Sequence, residues 1–180
     1  LRDSYEYVNY STRILAQAAA VMPIQYSLFS NRFIAHAHEE QGHEKLLVKD
    51  IQNLGFKLED FQVSLEMQFF YHSLYYWLSH HGNVMGLFGW IFTLEGAAVH
   101  IGDHIYDIVQ QAHGKQSAHF LKVHSSEDPD HLEKAFNTVE ALPPKEQELI
   151  SMTLNQYRSM YCRMLESVQG SMQNKVKVAS

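Results

Sequence analysis

The run His36-Ala-His-Glu-Glu40-Gln-Gly-His43-Glu-Lys-Leu-Leu-Val-Lys-Asp50 constrains this chain more than any other stretch. Five of its first eight residues carry metal-binding side chains. With no proline, cysteine pair or glycine clip to shape it, the run is read as one helix. At about 100° per residue, His36, Glu40 and His43 fall at about 0°, 40° and −20°, on one narrow stripe. Glu39 lies about 60° to one side, and His38 points elsewhere. Phe29 and Phe33 lead into the stripe, and Leu47 and Asp50 continue it. Ionisable groups on an inward stripe are costly unless paired or metal-bound, which favours metal ligation over a solvated His-Glu face.

A second triad repeats the spacing, His124-x-x-x-Asp128-x-x-His131. Asp128 precedes Pro129, and a residue before proline avoids the α region, while Asp-Pro makes a good helix start. The triad is therefore not assumed to share one helix, and Glu127 or Asp130 could stand in for Asp128. Between the triads lies Glu95, within Phe-Gly-Trp-Ile-Phe-Thr-Leu-Glu-Gly-Ala-Ala-Val. A lone carboxylate there ionises poorly without a partner. It is read as a metal-bridging or capping group, with a hydrogen-bonded core glutamate as the alternative. His100, Asp103, His104 and Asp107 fall on another face and are read as hydrated surface.

The apolar periodicity predicts an all-α chain of about seven helices, with no strand-like alternation. Helices are expected at residues 3–21, 25–53, 61–80, 84–112, 116–124, 129–142 and 144–169, with a turn at His81-Gly82-Asn83 and a frayed tail from Gly170. Four glycines within the fourth helix imply close approach of another backbone, since each costs roughly 1 kcal/mol against alanine. The aromatic cluster from Phe69 to Trp77 is read mostly as core, and Cys162 as a small core residue.

A chain of 180 residues is most simply one domain, residues 1–180. A net charge of −6 without a basic run gives no reason to expect nucleic acid or an anionic membrane as a partner. No uninterrupted apolar span of about 18 residues is present to read as a membrane helix. One cysteine fits a reducing compartment, and a cytoplasmic location is expected. Histidine and carboxylate donors without thiolate suit iron, manganese or zinc. The seven candidates His36, Glu40, His43, Glu95, His124, Asp128 and His131 exceed the needs of one zinc and suit two metals with bridging carboxylates.

The run from His36 through Glu40, His43 and Asp50 to Leu54-Gly55 resembles the iron-containing redox enzymes of the haem-oxygenase-like superfamily, the group including TenA, PqqC and CADD-like proteins. Leu94-Glu95-Gly96 and the His124–His131 triad are similar to that family's other metal-bearing segments, and the resemblance covers residues 32–165. It implies a haem-oxygenase-like bundle and, in the metal-dependent branch, a di-iron centre that activates O2 to oxidise a small organic substrate. His43, His124 and His131 would hold metal as neutral imidazoles, Glu95 and Asp128 would neutralise charge and bridge, and His36 and Glu40 would complete the first site. That branch usually carries glutamate seven residues before the first histidine, where this chain has His36. The alternatives are a metal-free TenA-like hydrolase or transferase acting through Cys162, and a non-enzymatic binding protein whose polar stripes pair with each other. A homodimer is compatible with either.

Overall fold

The computed structural model describes residues 1–79 and 84–178, except for the side chains of residues 127–129 and 170–178. The expected turn at His81-Gly82-Asn83 and the Asp128 side chain lie outside the described residues. Among the described residues are seven α-helices and no strand: α1 (Arg2–Val21), α2 (Ser27–Glu39), α3 (His43–Asn53), α4 (Leu65–Ser79), α5 (Leu87–His113), α6 (His119–Glu140) and α7 (Pro144–Val178). Short 3-10 turns join several of them.

Helix α1 buries Tyr7, Val8, Ser11, Ile14, Leu15, Ala18 and Ala19, a stripe at helical spacing. Asp3 in its first turn accepts from the Ser64 backbone N–H at 3.0 Å and from its hydroxyl at 2.8 Å, which anchors the start of α4. Helix α1 stops where Pro23 forces Met22 into extended backbone, at ψ 129. It then packs against α2, α3 and α4, while α5 packs against α6 and α7. Helix α5 is long and apolar enough to cross a membrane, but 61% of its apolar window is buried inside the bundle, as in a core helix. An added Cβ on Gly89 would stand 2.6 Å from the Thr153 carbonyl carbon, so this glycine does mark a close approach of α7.

Three expectations about the helices are corrected. The run expected as one helix over 25–53 is broken: α2 ends at Glu39, residues 40–42 form a turn, and α3 starts at His43. Contrary to the expectation of an unclipped run, Gly42 is a glycine clip, at φ 95, where only glycine is unstrained. The two segments expected at 116–124 and 129–142 are instead one helix, α6, whose backbone continues through Pro129. Proline removes one helical hydrogen bond and crowds the preceding turn, and packing of α6 against α5 and α3 outweighs that local preference. Helix α7 runs on to Val178, past Gly170.

Cys162 is exposed, not core. The buried face of α7 is set by Ile150, Thr153, Tyr157 and Met164, and Cys162 lies about 150° from the centre of that stripe, nearly on the opposite face.

Candidate metal centre

The break at Gly42 and the continuity of α6 together build the site. On α6, His124 and His131 are seven residues apart, which puts them on one stripe about 10 Å apart along the axis. On the other wall, the turn separates His36 at the end of α2 from His43 at the start of α3. The donors consequently assemble as two clusters, His36 with Glu95 and His131, and Glu40 with His43 and His124. Within each cluster the ligand atoms lie within 4.8 Å of one another. Ring centroids are 5.2 Å apart for His36 and His131, and 5.0 Å apart for His43 and His124.

Glu40 lies between the clusters. Its Oε1 is 3.5 Å from His36 Nε2, and its Oε2 is 3.3 Å from His43 Nδ1. Glu95 Oε1 is 3.1 Å from the same His36 nitrogen. The first cluster is fully buried, whereas His43 and His124 are half-buried.

Burial alone would push the His36 imidazole towards the neutral form, but the Glu40 and Glu95 carboxylates outweigh it and raise its pKa to about 9. Burial pushes the Glu40 carboxyl up, and hydrogen bonds from His36 and His43 more than offset it, holding the group well below the usual carboxylate range. A protonated ring between two acids is a cation held in a buried anionic cradle. Such a cradle, made of oxygen and imidazole donors without thiolate, fits iron, manganese or zinc.

Two acids have roles that spacing alone did not reveal. Glu39, off the stripe in a continuous helix, brings Oε2 to 3.4 Å from His131 Nε2 and accepts from Arg32 Nη1 at 2.8 Å. Burial raises the Glu39 pKa, but Arg32 outweighs that and holds it below its ordinary value. Asp50 is completely buried and accepts from the backbone N–H groups of His119 at 3.1 Å and Phe120 at 2.9 Å. Its Oδ1 also lies 2.9 Å from His119 Nδ1. Because Asp50 sits two turns after His43, it ties the start of α6 to α3 and sets the register of His124 against His43.

Among the alternatives, Asp130 is exposed and pairs with Lys134 at 2.5 Å. His38, His100, Asp103, His104 and Asp107 are exposed and contribute to neither cluster.

A cavity of about 350 Å³ opens on the centre, with His36, Glu40, Glu95 and His124 in its wall. Tyr7, Trp90 and other mainly apolar residues complete it. The buried Trp90 indole N–H has no hydrogen-bond acceptor among the described residues.

The helical bundle thus sets two carboxylate–histidine clusters beside a mainly apolar cavity. The family model for iron-containing redox enzymes matches residues 1–161, and the chain belongs to that family. Its fold is similar to the crystal structure of a domain of unknown function with a haem oxygenase-like fold from Shewanella denitrificans. The two share 23% identity at a TM-score of 0.82, over 96% of this chain and 76% of that one. No curated protein matches the sequence.

Proposed function

We propose that the chain is a non-haem di-iron oxidase or oxygenase that uses O2 on a small organic substrate. The observation that carries this reading is Glu40, whose two oxygens each reach a histidine of a different three-donor cluster. His36, Glu95 and His131 would hold one ion, and His43 and His124 the other, with Glu40 shared between them. Asp128 is proposed as a further carboxylate ligand on its place along α6, between the two histidines. His36 in place of the family's glutamate makes the first site richer in imidazole, and Glu40 supplies the displaced carboxylate from the turn.

Iron held there would supply open coordination positions for O2 and the first electrons for its reduction, with O2 as the oxidant of the substrate. The protein's own contributions are positional. Asp50 fixes the approach of α6, Arg32 orients Glu39 towards His131, and the mainly apolar wall lines the approach to the centre. His36 must release its proton to ligate, so metal uptake and proton release are coupled.

A TenA-like mechanism through Cys162 is disfavoured, because that thiol is exposed and absent from the cavity wall. A single free cysteine is consistent with a reducing compartment such as the cytoplasm.

The test is anaerobic loading with Fe(II), metal quantification, and absorbance on exposure to air. About two irons per chain and an oxygen-dependent spectral change are expected. Less than a tenth of an equivalent, unaltered by His43→Ala, would overturn the iron reading.

A further inference from the structure

We propose that His100 and His104 form an exposed site for one divalent transition ion, separate from the buried centre, with Asp103 and Asp107 as its carboxylate surround. Copper(II), nickel(II) and zinc(II) are the ions it suits.

Spacing is the first argument. His100-x-x-x-His104-x-x-Asp107 repeats the interval of His36, Glu40 and His43, and of His124, Asp128 and His131. The first of those runs is divided at Gly42, whereas His100 to Asp107 lies within one unbroken helix, α5. Histidines four apart on a helix have Cβ atoms about 5–6 Å apart. Helical side chains also lean back over the preceding turn, which brings the His104 ring towards that of His100. One ion with zinc–imidazole bonds of about 2.0–2.1 Å fits between rings so placed.

Charge is the second. Asp103 and Asp107 are also four apart, a like-charge pair that weakens a helix. Helix α5 contains no lysine or arginine to offset it. Lys122 of α6 lies over the Tyr106 ring, 5.3 Å from its centroid, and no ion pair among the described residues reaches either aspartate. A cation on the two imidazoles would relieve that repulsion. Each aspartate also follows a histidine by three residues, where a carboxylate can accept from the ring nitrogen that does not bind metal. Asp107 Oδ1 accepts from Gln110 Nε2 at 2.7 Å, which leaves its other oxygen for this contact.

Placement is the third. All four side chains are exposed. Their arc is centred about 150° round α5 from Gly102, where an added Cβ would stand 3.4 Å from the Ser125 Cβ of α6. The quartet therefore faces away from the packed side of the helix. His100 stands about 7.5 Å along the axis from Glu95 and about 140° round it, so neither imidazole serves the buried centre. Imidazole donors select late transition ions over magnesium and calcium, which take oxygen ligands. Two such ligands leave the other positions to water, an arrangement for capturing an ion at the surface.

Immobilised Ni(II)–iminodiacetate reads this site without the buried one, because its tethered ion meets the untagged full chain only at the surface. Wild type is expected to be retained until imidazole is added. His100→Ala and His104→Ala should each elute at less than half the wild-type imidazole concentration. The double variant should elute with the single ones, since a chelate needs both rings. His38→Ala, His72→Ala and His113→Ala, at exposed positions elsewhere, should leave elution unchanged. Surface substitutions of this kind are expected to melt with wild type. Equilibrium dialysis against Ni(II) then counts ions: His104→Ala should bind one fewer than wild type, and the same difference of one should persist in a His43→Ala background. Asp103→Asn with Asp107→Asn should weaken that ion about threefold. Equal retention of wild type and His104→Ala, or a loss shared evenly with His38, His72 and His113, would overturn the site. An ion count unchanged by His104→Ala would do the same.

Discussion

His36 carries its proton well into the alkaline range because two buried carboxylates share one of its nitrogens, and this has a measurable consequence in the metal-free protein. Its pKa rises from 6.5 unfolded to about 9 folded. The associated stability is fully present below about pH 6.5 and is lost as pH rises through about 9. A shift of that size corresponds to about 3 kcal/mol, or on the order of 10 °C in Tm. The metal-free chain is expected to melt progressively lower across that window, and His36→Gln to flatten the profile. A flat wild-type profile would show that the ring does not carry the charge. Glu40 acts with the opposite sign, stabilising above its unfolded value of 4.5 and ceasing to do so as pH falls through its depressed pKa. With Fe(II), His36→Ala is expected to lower iron from about two to about one per chain, since His43 and His124 belong to the other cluster. Exposed His38→Ala, as a control, should change nothing. At this scale, Glu95 was legible as a lone acid in an apolar run. Glu39 was not, because its access to His131 depends on where α2 ends.

The elements were legible in number but not in their joints. The two joints that matter went opposite ways: the segment expected to be continuous breaks at Gly42, and the segment expected to break at Pro129 continues. At Gly42 the left-handed glycine decides, and at Pro129 tertiary packing overrides the local preference. A helix running straight on from His36 would have kept all its donors on a single stripe. The left-handed Gly42 instead divides them between two clusters, with Glu40 in the turn reaching both. Continuity of α6 then supplies one histidine to each. Asp50 is the device that joins these elements, and it was visible in the sequence only as a stripe position. Asp50→Ala is expected to leave two backbone N–H groups at the start of α6 without their acceptor and to cost about 1–3 kcal/mol. Its diagnostic effect is selective, weakening the metal held by His43 and His124 more than the one held by His36 and His131. Competition with a graded chelator series measures this. Equal weakening of both would make Asp50 a plain stabiliser.

Across the whole molecule, the all-α architecture and the meeting of three remote segments followed from periodicity and from the cost of burying charge. The cavity did not, because its wall is assembled from α1, α2, α5, α6 and α7, whose relative placement is a tertiary property. Helix α5 serves two purposes along its length: near Gly89 it lies against α7, and at Gly96 it stands clear of its neighbours before Gly102 packs against Ser125 of α6. Gly89→Ala is expected to destabilise by about 1–3 kcal/mol, because its Cβ would meet α7 backbone, whereas Gly96→Ala, where the added carbon meets nothing, should cost far less. Comparable losses in thermal melts would contradict this division of the helix. The most direct test of the two-cluster centre is an anomalous diffraction map of Fe(II)-loaded crystals, recorded at the iron edge. It should show two peaks on either side of the Glu40 carboxylate, one among His36, Glu95 and His131 and the other beside His43 and His124. A single peak, or none with water among the same side chains, would contradict it.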